Sequence, residues 1–494
     1  MATARTLVVF PASLHGGYWA AGPRVKAELV SVYTVLRRAG VEVGVLDLEN
    51  ALGNPDASDR DAFAASVERR LSNGHGAEAE LLVVACSSCL QYTASLAVGE
   101  VARRLSPDVP IAVAGFHVTA RPDDFTYAGS PFDWVVVGES EMALAELAGG
   151  VTPAEPAGGV AREGRPDAPV VVEGTPLPLD AQSAPDYASY PYVREGLTLL
   201  PVFLSRGCPF PLAACQLRPG SPGWRAYAPE LAGEIIAAMT ALRPERIDVL
   251  DPSFGLDPAW RTAALQVLAR SVEKRRSVPL VINVRPEAFT RADVDAAYLA
   301  GLRLRLDIGT LSPTLLRRTG AVPRPVRHVE HALDLLEYIN AKGLLADVDF
   351  VFNRPGETRQ TATETLDALE AFVDRVPNTT LHLSASSWVY VPYADVQSEI
   401  DVPRERYGTR ILHPEWWHEG IASERAAKAV IASSELADLE AGDESYWRPR
   451  FDALAEKLAG KLTTDARRGS RSHESVGAAA TGVPHGFWAE PRWH

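Results

Sequence analysis

Apolar runs of strand length alternate with helical periodicity along most of this chain. Residues 6–10 (TLVVF) read as a buried strand. The glycine-rich stretch SLHGGYWAAGP follows. Pro23 then suits the first turn of a helix with apolar positions Val25, Leu29, Val32 and Leu36. Ala39-Gly40 ends that helix, and VEVGVLDL is the next strand. LLVVA (81–85), a helix near 92–105, IAVAG (111–115) and WVVVG (134–138) continue the alternation. This pattern predicts a parallel, doubly wound, Rossmann-like α/β domain over residues 1–150. Ligands of such sheets sit beyond the carboxyl ends of the strands, so loops 11–22, 86–93, 115–122 and 138–141 are where a site is expected.

Residues 151–195 are rich in Pro, Gly, Ala and Asp and read as a linker with one hairpin, GVAREG…PVVVEG. A second series then begins. Its strands are PVFLS (201–205), IDVLD (247–251), LVINV (280–284), LRLDI (304–308), ADVDFVF (346–352) and HLSAS (382–386). Helices near 229–242, 258–275, 290–300, 326–342 and 359–374 separate them. Repeated strand–helix units predict a full or partial TIM-type (β/α) barrel over 196–386. Its chemistry is expected at the strand carboxyl ends, where Cys208, Asp251, Arg285, Asp307 and Asn353 fall. Residues 387–494 form a third, mostly helical region, with helices expected at 423–441 and 446–462.

Composition narrows the class without changing this picture. At 494 residues the chain is long enough for about two to four domains. Forty-nine basic against 63 acidic residues give a net charge of −14, and no basic block stands out, so a nucleic-acid partner is not expected. The longest apolar runs are strand-sized, which argues against a membrane span. The amino-terminal residues enter a strand without a signal-peptide pattern, and four cysteines do not make a disulfide framework. A cytoplasmic location and a small-molecule substrate are the expectation; oligomeric state is not readable.

Residues 202–217 read VFLSRGCPFPLAACQL. In the first domain, AGFHVTARPDDF (114–125) and VVVGESEMALAEL (135–147) stand at strand ends. In the second, RAYAPE (225–230), DPSF (251–254), IGTLS (308–312) and NRPGET (353–358) follow in order. Together these segments resemble the cobalamin-dependent (class B) radical S-adenosylmethionine (SAM) family, and the resemblance covers roughly residues 5–390. It implies a cobalamin-binding domain followed by a radical-SAM barrel. The chain departs from the family pattern at Ala114, at Ser140 and, above all, at Leu212. The family holds a four-iron cluster with cysteines spaced C-x3-C-x2-C, which here would be 208, 212 and 215. Three thiolates leave one iron open for SAM. With leucine between Cys208 and Cys215, a 4Fe–4S cluster is not expected.

The resemblance also implies site residues. Cobalamin would contact Ser87, Ser88, Thr93, Gly115, His117, Thr119, Gly138 and Glu139; the alternative is a related domain that takes another nucleotide. His15, in SLHGG, is distantly similar to the axial histidine of base-off cobalamin proteins. Ser13 replaces the aspartate of that motif, and no carboxylate is evident to orient the ring. Its alternative is a polar loop histidine. Cys86 and Cys89 are better read as small residues at a strand end than as half of a zinc site. SAM would contact Asp251, Asn283, Arg285 and the NRPGET loop, with Arg285 pairing with the methionine carboxylate; otherwise these charges close the barrel mouth. VYVPYAD (389–395) and LHPEWWHEG (412–420) offer Tyr390, Tyr393, His413, Glu415 and His418 as candidate catalytic groups with aromatic walls, or else as packing. His328 and His331 are expected to face solvent.

These features point to polar methyl transfer. Methylcobalamin formed from SAM would pass its methyl group to a small natural-product precursor. The alternatives are a cobalamin-dependent cyclisation or rearrangement without SAM turnover, and a non-catalytic cobalamin-binding partner or sensor.

Overall fold

The computed structural model describes residues 5–12, 25–52, 60–73, 78–149, 168–207, 223–251, 253–275, 277–391, 400–419 and 423–463. Two compact units account for them. The first takes in residues up to 200, with 216–225 and 415–424; the second takes in 201–215, 226–414 and 425 onward. Each contains a sheet of six strands.

In the first unit β1 is Arg5–Phe10, β2 Glu42–Asp47, β3 Leu81–Ala85, β4 Ile111–Ala114, β5 Trp134–Val137 and β6 Val170–Glu173. The sheet order is β2-β1-β3-β4-β5-β6, and every neighbouring pair is parallel. Leu7–Phe10, β3 and β4 are buried along their whole length. That is why these strands read as continuous apolar runs: a parallel sheet is covered on both faces. β2 and β3 lie on opposite sides of β1, so the strand order reverses between β1 and β3. A ligand crevice is expected at that reversal.

Two expectations need correction here. The first helix spans Ala27–Arg38 and so begins after Pro23. The segment 151–195 is not simply a linker with a hairpin: Val170–Glu173 pairs parallel with β5 as the sixth strand. An isolated VVVE run carries no sign of its partner, and its parallel pairing depends on a strand more than thirty residues earlier. The chain beyond it packs back on the first helix. Tyr190 is buried edge-on to Tyr33, and the Asp186 amide donates to Thr34 Oγ1.

The second sheet has the order Leu381–Ser387, Ala346–Phe352, Leu302–Gly309, Leu280–Val284, Arg246–Val249, Leu199–Val202. β7 is Leu199–Val202. After the two-residue strands β8 (Ser205–Arg206) and β9 (Arg225–Ala226) come β10 Arg246–Val249, β11 Leu280–Val284, β12 Leu302–Gly309, β13 Ala346–Phe352 and β14 Leu381–Ser387. β10 to β14 are parallel neighbours in sequence order, as in an open barrel segment. The helices between them start on local signals. Asp257 and Ser312 cap the helices Pro258–Arg270 and Pro313–Thr319, and Thr290 and Thr358 form capping boxes. Gly320 and Gly343, both left-handed, end two of them.

The two faces of this sheet differ sharply. Ile247, Val249, Leu280, Ile282, Leu302, Leu304, Leu306, Ala346, Val348, Phe350 and Phe352 are buried on one face. Phe352 stacks on Trp447 and Phe350 meets Phe451 edge-on, so the helix Arg448–Ala459 covers part of it. The opposite face is polar. Asn283, Arg305, Asp347 and His382 are lateral partners across four strands, as are Asp307, Asp349 and Ser384 across three.

The carboxyl-terminal part is less helical than its periodicity suggests. The helix expected at 423–441 ends at Ala427, and Val430–Ile431 (β16) pairs antiparallel with Arg410–Ile411 (β15). The β-branched pair is satisfied by a strand partner that helical periodicity does not reveal. His331 is exposed on its helix, as expected, with Nε2 2.8 Å from the Pro286 carbonyl, whereas His328 is half-buried rather than facing solvent. Among the described residues no helix is long and apolar enough to cross a membrane.

Candidate functional site

The carboxyl ends of β3, β4 and β5 in the first unit carry most of the residues expected to contact cobalamin. Gly115 has φ +123°, and a Cβ there would fall 2.5 Å from the Cys86 carbonyl oxygen. Only glycine lets the turn after β4 lie against the end of β3. The His117 amide donates to that same carbonyl at 3.2 Å. Thr119 Oγ1 donates to the Gly115 carbonyl and accepts from the Gly138 amide, tying the β4 and β5 loops together. Glu139 accepts from the Leu177 amide at 2.8 Å and pairs with Arg225. Ser88 caps a short turn through Leu90, and the Ser87 amide donates to Gln91. Ser87, Gly115, Thr119, Gly138 and Glu139 remain half-buried, whereas Ser88, Thr93 and His117 are buried. The half-buried set brings small and polar groups to three adjacent strand ends, which suits a flat ligand with a polar rim. Burial pushes the Cys86 thiol up to about 12, against its hydrogen bonds with Ser95 and with the Ser88 backbone. His15 lies outside the described residues.

His117 and Asp124 form a buried cluster beside these loops. His117 Nε2 lies 3.0 Å from Asp124 Oδ2, which also accepts from Trp417 Nε1 at 2.8 Å. His418 Nε2 lies 3.2 Å from Asp124 Oδ1. Burial would push the Asp124 carboxyl up, but its bonds from the two histidines prevail and hold it well below the usual carboxylate range. Burial lowers His117 against the pull of Asp124. The compact units divide the expected catalytic group: His418 and exposed Glu415 belong to the first, buried Tyr390 and half-buried His413 to the second. Tyr393 lies outside the described residues.

In the second unit, the residues expected to contact SAM have structural duties. Asp251 is fully buried and accepts from the Leu204 amide (2.8 Å), the Ser205 amide (3.1 Å) and Ser205 Oγ (2.6 Å). Burial pushes its carboxyl up to about 6 against those bonds. Asn283 donates to the carbonyls of Val249 and Asp251 and accepts from Arg305 at 3.3 Å. Arg285 is half-buried and pairs with Glu287. Thus Asp251 and Asn283 brace strand ends, while Arg285 would have to exchange Glu287 for a ligand carboxylate. In the NRPGET loop Asn353 takes a left-handed φ of +58°, its amide donates to Glu357, and Tyr446 OH donates to Glu357 at 2.9 Å. Burial pushes Glu357 up to about 7. Cys208, Leu212 and Cys215 lie outside the described residues.

Sequence reasoning missed three groups. Lys26 is buried with Glu49 at 3.3 Å and Asp47 at 4.0 Å, near the end of β2. Asp124 gathers His117 with the distant Trp417 and His418, and no local signal could have paired it with Trp417, 293 positions later. The polar sheet face, with Arg303 paired to Asp347 at 2.9 Å and Arg246 to Asp248 at 2.8 Å, was legible in principle. Leu-Arg-Leu-Arg-Leu-Asp over 302–307 alternates strictly.

No family model matches the chain. Over 284 residues it is 25% identical to an uncharacterized methyltransferase of Pyrococcus horikoshii; the match takes in 54% of this chain and 59% of that protein. The chain thus spans about three fifths of that relative. Among solved structures, the fold is similar to that of the radical SAM methyltransferase TsrM from Kitasatospora setae with tryptophan substrate and a SAM analog bound. That likeness has a TM-score of 0.54 and 19% identity, covering 79% of this chain and 74% of that one. The cobalamin-dependent SAM radical enzyme OxsB, with aqua-cobalamin and SAM bound, is similar at a TM-score of 0.53 and 13% identity, over 84% of this chain and 56% of that one. At these identities the likeness shows the fold, a mixed α/β chain with parallel sheets.

Proposed function

We propose that this protein is a cobalamin-dependent methyltransferase working by polar chemistry, with a small-molecule acceptor and with SAM as methyl source. The observation that carries this reading is a contrast around residue 212. Asp251 ties down Leu204 and Ser205, the residues that lead into the Cys208 segment, with three hydrogen bonds. The sequence beyond that braced start has leucine between its cysteines. A scaffold kept this firmly, without the second thiolate, favours methyl transfer that needs no cluster. Likeness in fold to TsrM and OxsB, and in sequence to a methyltransferase, supports the general activity.

The half-buried polar edge of the first sheet fits a corrinoid, whose amide-bearing rim needs hydrogen-bonding partners and close backbone approach. Bound there, a corrinoid supplies a cobalt centre able to relay a methyl group with its bonding pair left behind, without a carbon radical. Ser87 and Thr119 would hold its rim, and Gly115 and Gly138 would admit the backbone close to it. In the second unit Arg285 would orient the SAM carboxylate once released from Glu287. The polar face with Arg305, Asp307 and Asp349 would hold a charged or hydrogen-bonding acceptor.

Protein produced with cobalamin is expected to carry corrinoid absorption. Under strong reductant it should move label from methyl-labelled SAM to the corrinoid. A colourless protein that also fails to take up hydroxocobalamin removes the cobalamin reading. Bound corrinoid that never acquires label removes SAM as donor.

A further inference from the structure

An imidazole that binds a metal nearly always has a carboxylate or carbonyl behind its other nitrogen, which fixes the tautomer and the ring orientation. The first unit contains such an arrangement, far in sequence from the loop after β1. His418 Nε2 lies 3.2 Å from Asp124 Oδ1. A carboxylate only accepts, so Nε2 carries a proton, and in the neutral ring Nδ1 presents the lone pair. Asp124 is itself held rigidly: its side chain is 4% exposed, and Oδ2 is engaged by His117 Nε2 at 3.0 Å and Trp417 Nε1 at 2.8 Å. The His418 ring is braced on two sides, with its centroid 4.7 Å from that of Tyr92 and 4.9 Å from that of Trp417. Its side chain nevertheless stays 32% exposed.

Position points the same way. Tyr92 opens the helix that follows β3 and Asp124 closes a short 3-10 turn between β4 and β5, so the braced ring stands beside the helix start at the carboxyl edge of the sheet, where a ligand of this fold is expected. The other histidine among the described residues of this unit is His117, and its side chain is 0% exposed, which closes it to a metal.

We infer that His418, oriented by Asp124, is the imidazole that coordinates the cobalt of a bound corrinoid through Nδ1. This rests on the cobalamin reading above. The bond formed is a dative one from the Nδ1 lone pair to cobalt; a water or the corrinoid's own base leaves, and no electron is transferred.

The test uses cobinamide, a corrinoid without the nucleotide base, so that any axial nitrogen must come from the protein. The full-length protein is loaded with cobinamide, reduced to the Co(II) state and examined by electron paramagnetic resonance. Each cobalt line is expected to split into a triplet from one axial 14N, and into a doublet in protein labelled with 15N-histidine. His418→Ala should lose the splitting while still retaining corrinoid. Asp124→Asn should lower the coordinated fraction, by about tenfold in the affinity of the imidazole for the metal. Bound cobinamide without nitrogen splitting overturns the inference and leaves the cobalamin reading standing. Splitting that persists in His418→Ala but disappears in His15→Ala overturns it in favour of His15. Protein that retains no corrinoid of either kind overturns the cobalamin reading, and this inference with it.

Discussion

At Gly115 backbone conformation and close packing coincide. Its φ of +123° is open to glycine almost alone, and a side chain would collide with the backbone of Cys86. Gly129 separates the two effects, since it has φ +84° and nothing within 4 Å of an added Cβ. Gly129→Ala should therefore cost only the conformational strain, about 1 kcal/mol. Gly115→Ala should cost at least about 3 kcal/mol, because the β3 and β4 loops must also separate. Urea unfolding followed by circular dichroism checks this, and equal midpoints for the two variants would show that the contact with Cys86 is dispensable. The sequence placed Gly115 at a strand end but could not show what it packs against. His418 was legible only as one of several titratable groups near a tryptophan pair. What distinguishes it is Asp124, and that contact joins distant parts of the chain.

Among the elements, the NRPGET loop couples a turn to a buried acid. Glu357 accepts from the Asn353 amide and from Tyr446, and the Ser433 hydroxyl donates to its carbonyl, so one residue joins the end of β13 to the segments on either side of residue 440. Its carboxyl is pushed from an ordinary 4.5 up to about 7 by burial. The sign of the linkage follows: the folded state holds the proton more tightly than the unfolded state. The stabilisation is complete below about pH 4.5 and is lost as pH rises through 7. Glutamine keeps a neutral acceptor at every pH. Glu357→Gln should therefore gain on the native protein between pH 5 and 8, by at most about 3 kcal/mol. Urea titrations at the two pH values measure the difference, and parallel behaviour would mean that Glu357 stays ionised throughout. Elements with local signals were legible, namely the helices opened by Asp257, Thr290, Ser312 and Thr358. β6 and the β15–β16 pair were not, because short strands are defined by partners distant in sequence.

The molecule as a whole joins two α/β series whose order was plain from periodicity, since parallel strands buried on both faces leave unbroken apolar runs. The polar face of the second sheet is the chief departure from a packed barrel interior, which branched apolar side chains usually fill. Such a face suits charged or hydrogen-bonding ligands, as the methyl donor and polar acceptor proposed above would be. On that view chemistry has moved away from the Cys208 segment, and Leu212→Cys tests whether it has. Restoring the C-x3-C-x2-C spacing supplies the third thiolate, so anaerobic reconstitution should raise iron and sulfide towards about four irons per chain. The native protein should stay well below that content. Transfer of label from SAM should not improve in the variant, because polar transfer draws nothing from a cluster. The two readouts separate the cases. Iron without a gain in transfer supports an enzyme adapted to work with leucine, whereas a large gain with iron would mean that the leucine has cost the enzyme its original chemistry. Native protein that already holds about four irons would show that Cys208 and Cys215 recruit a third ligand from elsewhere, and the polar mechanism would lose its main support.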